Sequence, residues 1–129
     1  MMKLHRILLV EDDPDIQAVA RLALEALGGY TVEVCNNGVE ALQRAPAFAP
    51  DLVVLDVMMP EMDGPSTLKA LRRETDLTEV PVVFMTARAQ QHEIEAYKAL
   101  GAADVITKPF DPIHLAKNLE TIWHRCHGQ

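Results

Sequence analysis

Four apolar runs of this 129-residue sequence are each followed directly by side chains that could take part in chemistry. In chain order these side chains are Glu11, Asp12, Asp13, Asp56, Thr86 and Lys108. Carboxylate oxygens are the ligands that Mg²⁺ prefers in proteins, and lysine and hydroxyl groups bind phosphoryl oxygens. A carboxylate beside a divalent cation and an ammonium group is suited to phosphoryl transfer, in which positioning and charge neutralisation supply most of the catalysis.

The elements that must position these groups are visible as short apolar runs that alternate with longer amphipathic segments. The predicted strands cover residues 7–10, 30–35, 52–55, 80–85 and 104–106, and the predicted helices cover 14–27, 39–45, 66–73, 89–100 and 112–125. Pro46 and Pro50 are expected to break the second helix. This alternation indicates a parallel sheet with helices on both faces. We therefore predict an α/β fold, a doubly wound five-stranded parallel sheet, with residues 30–35 as an edge strand. The strand order 2-1-3-4-5 is adopted from known sheets of this type, since the alternation does not determine it.

The carboxyl ends of parallel strands lie at one edge of the sheet, so the polar side chains that follow them are expected to converge. In the order 2-1-3-4-5 the first and third strands are neighbours about 4.8 Å apart, and Asp12 and Asp56 then face each other. Carboxylates at such a range raise each other's pKa unless a cation lies between them. Lys108 follows a strand roughly 10 Å from Asp56 and has a side chain long enough to reach back. Thr86, one strand away, can donate a hydrogen bond to the same group.

Five segments, in this order along the chain, resemble the motif set of the response-regulator receiver domains of two-component signal transduction. They are VEDD at residues 10–13, LDVMMP at 55–60, MDG at 62–64, MTA at 85–87 and TKPF at 107–110. The resemblance covers nearly the whole chain, and it implies a flavodoxin-like, CheY-like three-layer sandwich.

The resemblance also implies a role for each matching residue. Asp56 is expected to be the phosphoacceptor. Asp12, Asp56 and the backbone carbonyl of Met58 are expected to bind Mg²⁺ or Mn²⁺ directly, and Glu11 through a water molecule. The residues expected to bind the phosphoryl group or to form the switch are Thr86, Ala87 and Lys108. The family further implies a cis peptide bond between Lys108 and Pro109.

Some positions depart from the family pattern. Many receivers carry a tyrosine or phenylalanine three residues before the motif lysine, and Val105 stands there in this chain. A β-branched aliphatic side chain has few χ1 states and little reach, so we expect no aromatic swing. Asn118 replaces an arginine that the transcription-factor subfamily uses in dimer contacts, which favours a monomer or a weak dimer. Met58 and Arg88 flank the expected site entrance, where we expect them to tune dephosphorylation.

The expected function is that of a phosphoacceptor signalling switch. A sensor histidine kinase or a histidine phosphotransfer protein phosphorylates Asp56, and the surface formed by the fourth helix, fifth strand and fifth helix then controls a downstream protein target that the sequence does not name. The chain is expected not to be an enzyme in the usual sense, since it acts only on its own phosphorylation state. An aspartyl phosphohydrolase remains the alternative, but it needs a general acid where Met58 stands. Nucleotide or flavin binding is rejected because the first loop is acidic and has no glycine.

Composition sets the broad limits. The net charge of −7 argues against non-specific binding to nucleic acid or to anionic membranes. No apolar run approaches the roughly 18 residues of a membrane span, and the N-terminus has no secretory pattern. Cys35 and Cys126 match no metal or redox spacing, as is typical of reduced thiols. We therefore expect a cytoplasmic protein of one receiver domain, residues 1–129, with no output domain in this chain.

Overall fold

A five-stranded parallel sheet forms the centre of the computed structural model, in which residues 3–128 are described. The strands are β1 (Arg6–Val10), β2 (Thr31–Cys35), β3 (Leu52–Asp56), β4 (Val82–Thr86) and β5 (Asp104–Thr107). They lie in the order β2-β1-β3-β4-β5, and every neighbouring pair is parallel. The predicted fold class, the strand order and the edge position of β2 are confirmed.

Helices cover both faces of the sheet. They are α1 (Pro14–Leu22), which continues as a π-helical segment (Ala23–Leu27), α2 (Gly38–Phe48), α3 (Gly64–Glu74), α4 (Gln91–Ala99) and α5 (Leu115–Cys126). Successive residues of β1 point to opposite faces: Leu9 packs in a cluster with α1 and α5, whereas Leu8 packs in a cluster with α2 and α3. Strands buried on both faces explain the fully apolar runs of the sequence.

The predicted break at Pro46 is wrong, because Pro46 lies inside α2. Proline lacks one N–H, so near the end of a helix it removes a single hydrogen bond, and the burial of Ala41 and Ala45 against the sheet outweighs that loss. The helix ends instead before Pro50, which disfavours a helical conformation at Ala49. Ala49 adopts a left-handed conformation with φ 54°.

Helix starts also differ from the predicted bounds. Helix α2 begins at Gly38 rather than at residue 39, and α3 begins at Gly64 rather than at residue 66. The final helix α5 begins at Leu115 rather than at residue 112, because a carboxylate oxygen of Asp111 accepts the N–H of Ile113 at 2.9 Å and holds a separate turn. The fourth helix begins at Gln91 rather than at residue 89. Among the described helices, none is both long and apolar enough to cross a membrane.

Candidate functional site

Three carboxylates meet at the carboxyl edge of the sheet. Val10 of β1 lies opposite Leu55 of β3, so the residues that follow them, Glu11 and Asp56, are adjacent across the two strands. One carboxylate oxygen from each of Glu11, Asp12 and Asp56 lies within 4.8 Å of the others. Glu11 and Asp56 are buried, with 1% and 3% of their surfaces exposed, whereas Asp12 is exposed. The predicted convergence of these strand ends is therefore present.

Lys108 provides the positive charge of the site. It follows β5, and its ammonium Nζ lies 3.1 Å from Oδ1 of Asp56 and 2.6 Å from Oε1 of Glu11. Partial burial works to lower the pKa of the Lys108 ammonium, but the hydrogen bonds and charges of Glu11 and Asp56 outweigh burial, so the pKa lies above its ordinary value. Lys108 is thus a fixed cation that bridges two buried carboxylates.

Glu11 is the carboxylate of this cluster whose pKa is raised by its surroundings. Burial raises its pKa to about 7, and the charge of Asp56 adds to the rise. Contacts with Lys108 and with the N–H of Asp13, at 3.2 Å, oppose the rise. Within the described part of the chain, the buried Oε1 accepts no hydrogen bond of ordinary geometry, and its close contact with Lys108 is an ion pair.

The donor set fits a hard divalent cation. Mg²⁺ prefers oxygen ligands, and it is bound by one or two carboxylates while it retains several waters. Glu11, Asp12 and Asp56 offer such oxygens within a small volume, and the single ammonium of Lys108, which contacts Glu11 and Asp56, cannot balance the charge of three ionised carboxylates. The backbone of Met58 is also close, since its N–H donates to Oδ1 of Asp56 at 3.4 Å.

Thr86 ends β4 beside the acidic residues. Met85 lies opposite Asp56, so Thr86 stands one residue further along the neighbouring strand. Thr86 is buried, and its hydroxyl oxygen accepts the N–H of Arg88 at 3.1 Å. No hydrogen bond joins Thr86 to Asp56 in the region that the structure describes. Ala87 is exposed and lines a groove that Lys108 also borders.

The surface behind Lys108 contains contacts that the sequence did not predict. Asp104 of β5 accepts ion pairs from Lys98 of α4 at 3.8 Å and from Arg125 of α5 at 3.0 Å, so it joins the two helices across the strand. Val105 is half-buried against the cluster that contains Phe84. The Lys108–Pro109 peptide bond is cis.

Two residues that support the site were also missed. Gly64 begins α3 against the end of β3, and its N–H donates to the carbonyl of Val57 at 2.9 Å. Gln17 of α1 donates to the carbonyl oxygen of Glu11 and, at 2.8 Å, to Oδ1 of Asn36. The MDG motif could have indicated Gly64. A glutamine on an amphipathic helix carries no comparable signal.

A doubly wound sheet with three carboxylates and a lysine at the carboxyl ends of its strands defines the class of protein, an α/β domain with a candidate cation site at that edge of the sheet. Residues 7–120 match the family model of the response regulator receiver domain. The chain therefore belongs to the response regulator receiver family. Receiver domains are signalling switches rather than classical enzymes, and they bind Mg²⁺ through an acidic cluster. In this chain, Glu11, Asp12 and Asp56 form an acidic group that could hold a metal ion.

Relatives with known names agree with this family. The chain is 35% identical over 121 residues to the DNA-binding dual master transcriptional regulator RpaA of Synechocystis sp., with coverage of 93% of this chain and 49% of that protein. It is 38% identical over 122 residues to the transcriptional regulatory protein CpxR homolog of Haemophilus influenzae, with coverage of 95% and 52%. The chain thus spans about half the length of the curated relatives it matches.

Solved structures have the same architecture. The chemotaxis protein CheY4 of Vibrio cholerae superposes with a TM-score of 0.85 at 31% identity, and the superposition covers 92% of this chain and 98% of that one. The CheY-like fold predicted from the sequence is confirmed, and the chain is a receiver domain of a two-component response regulator.

Proposed function

We propose that Asp56 of this chain accepts a phosphoryl group from the phosphohistidine of a sensor histidine kinase or a histidine phosphotransfer protein. The observation that carries the proposal is the position of Lys108, whose ammonium lies 3.1 Å from Oδ1 of Asp56. A lysine so placed can follow the negative charge from the carboxylate to an incoming phosphoryl oxygen. Glu11 and Asp12 each bring a further carboxylate oxygen within 4.8 Å of one from Asp56, and together the three could hold a cation.

The chain's own residues perform the transfer as follows. A carboxylate oxygen of Asp56 attacks phosphorus in line, the new P–O bond forms while the P–N bond breaks, and the imidazole of the donor leaves. Lys108 neutralises charge on the phosphoryl oxygens, and the Thr86 hydroxyl turns from Arg88 to donate to one of them. Asp12, Asp56 and the carbonyl of Met58 would hold Mg²⁺ or Mn²⁺ directly, and Glu11 would hold it through a water molecule. The cation would supply the remaining charge neutralisation. Water later hydrolyses the acyl phosphate and resets Asp56.

The phosphorylated state acts through the surface of α4, β5 and α5. Thr86 precedes α4 in the chain, and Lys108 lies between β5 and α5. The ion pairs of Asp104 with Lys98 of α4 and with Arg125 of α5 hold the two helices of this surface together. A shift of a two-state surface from 1:99 to 99:1 needs about 5.5 kcal/mol of differential stabilisation. Val105 offers no aromatic swing, so movement of Thr86 and Lys108 carries the change. The output is the binding of a downstream protein target by a cytoplasmic, monomeric or weakly dimeric domain that makes no direct contact with nucleic acid.

The test is phosphorylation by a small phosphodonor with Mg²⁺, followed by intact mass. Wild type should gain the mass of one phosphoryl group in the presence of Mg²⁺ and should gain none when a chelator is added in place of Mg²⁺. The variant Asp56→Asn should gain none in either case. Asp63→Asn is the matched control, because Asp63 is a nearby exposed helix cap and asparagine caps equally well. A phosphoryl adduct on Asp56→Asn, or no adduct on folded wild type, would contradict the proposal.

A further inference from the structure

Gln17 joins two loops at the edge of the cation site. Its side-chain Nε2 donates to the backbone carbonyl of Glu11, and the same nitrogen donates to Oδ1 of Asn36 at 2.8 Å. Glu11 lies in the loop after β1, and Asn36 lies in the loop after β2. The N–H of Glu11 is also fixed, since it donates to the carbonyl of Cys35 at 3.0 Å. Gln17 therefore holds the one backbone group of Glu11 that the sheet leaves free.

The carbonyl of Glu11 determines where two carboxylates point. A peptide unit is planar, so the Glu11 carbonyl, the Asp12 N–H and both flanking Cα atoms turn together. A hydrogen bond to this carbonyl therefore fixes the orientation of the peptide plane, and the Cα atoms that carry the side chains of Glu11 and Asp12 lie in that plane. Both side chains contribute oxygens to the acidic cluster around Asp56.

Glu40 sets the donor and acceptor roles in the hydrogen bond between Gln17 and Asn36. Glu40 accepts the backbone N–H of Asn36 at 3.1 Å and the side-chain Nδ2 of Asn36 at 3.2 Å, and these bonds hold the pKa of Glu40 below its ordinary value. An ionised carboxylate only accepts, so Asn36 must turn its Nδ2 toward Glu40 and its Oδ1 toward Gln17. Gln17 must then present its nitrogen to both acceptors.

We propose that Gln17 is a positioning residue of the cation site. Gln17 holds the Glu11–Asp12 peptide so that the carboxylates of Glu11 and Asp12 face Asp56 before the cation binds. The inference rests on the proposed cation site and goes beyond it in assigning a role to a residue that touches neither the cation nor the phosphoryl group. Hydrogen-bonding partners outside the ligand shell typically change metal affinity by about 10-fold to 100-fold when they are removed.

Isothermal titration with Mg²⁺ alone tests the inference. Gln17→Met removes both hydrogen bonds but keeps side-chain length and helix propensity, and it should weaken Mg²⁺ binding by about 10-fold. Gln43→Met is the matched control, because Gln43 is exposed on α2, and its affinity should equal that of wild type. Urea unfolding of each variant separates a positioning effect from a loss of folded protein.

The relay through Asn36 supplies a second measurement. Asn36→Leu should weaken Mg²⁺ binding in the wild-type background and have no further effect in Gln17→Met, because its influence passes through Gln17. Equal Mg²⁺ affinity of wild type and Gln17→Met, or an undiminished Asn36 effect in the double variant, would overturn the positioning role. Absence of Mg²⁺ binding by wild type would instead overturn the proposed cation site, so the two failures are distinct.

Discussion

Gly64 is the position at which a single methyl group should damage both the fold and the site. A Cβ atom at Gly64 would lie 2.8 Å from the carbonyl oxygen of Asp56 and 2.9 Å from Cα of Val57. Both are backbone atoms, which cannot rotate away as a side chain could. The substitution Gly64→Ala must therefore push the start of α3 away from the end of β3, or distort the Asp56 carbonyl itself.

The expected magnitude follows from two opposing effects. Forcing an extra methyl group into a packed interior costs about 1–3 kcal/mol. Replacing glycine by alanine restricts the unfolded chain and stabilises the protein by about 0.4–1 kcal/mol where the backbone permits. The steric cost exceeds this gain, so we expect Gly64→Ala to lower the free energy of unfolding by about 1–2 kcal/mol. Because the displaced carbonyl belongs to Asp56, phosphorylation from a small phosphodonor should also become slower.

Urea unfolding and a phosphorylation time course provide the two measurements. The control is Gly29→Ala, at the opposite edge of the sheet, where φ is +72° and no atom beyond the two neighbouring residues lies within 4 Å of a Cβ. A left-handed alanine costs about 1–2 kcal/mol, so this variant should lose similar stability yet phosphorylate at the wild-type rate. If Gly64→Ala were as stable as wild type, or if both variants slowed phosphorylation equally, the steric reasoning would be refuted.

Three further outcomes are expected. Burial raises the pKa of Cys35 to about 11 whereas Cys126 is exposed, so a thiol reagent at neutral pH should label one cysteine until denaturant is added, and rapid native labelling of both would contradict this. Burial raises the pKa of Tyr30 from 10.0 to about 12. The phenol is therefore deprotonated at lower pH in the unfolded chain than in the folded protein, so wild type should lose stability relative to Tyr30→Phe as the pH rises from 10 to 12. Unfolding followed by circular dichroism at each pH measures this difference. Beside the site, Met58 is 74% exposed and the side chain of Arg88 is 81% exposed. Replacing either by alanine should open a path for water and shorten the acyl-phosphate lifetime, measured by intact mass, and an unchanged lifetime would remove their tuning role.

Topology is the part of this molecule that the sequence predicts best. The apolar runs before Glu11, Asp56 and Thr86 indicated buried parallel strands, and parallel strands present their carboxyl ends at one edge. Only the strand order was needed to bring Glu11, Asp12 and Asp56 together. The contact of Lys108 with Glu11, at 2.6 Å, could not be predicted in the same way. Strand spacing sets the distance that a lysine must cover, but it does not select the carboxylate that a flexible side chain meets.

Local signals were less reliable where packing opposed them. Pro46 is a helix breaker by composition, yet the buried alanines of α2 hold the helix through it. Gln17 has an ordinary helical position, and its role depends on the loop after β2, which is 19 residues away in sequence at Asn36. Interactions between loops of different β-α units are set by the way that the units pack, so no pattern within one unit reveals them.

Charge balance connects the geometry of the site to its dependence on a cation. Three carboxylates, Glu11, Asp12 and Asp56, face one ammonium group, that of Lys108, so full ionisation leaves two negative charges unbalanced in a largely buried place. Without a divalent cation, Glu11 responds by holding its proton up to about pH 7. A divalent cation held by these carboxylates would balance the two charges, so that Glu11 would no longer need its proton. Lys108, which contacts both Glu11 and Asp56, would then be free to leave Glu11 and pair with an incoming phosphoryl group at Asp56.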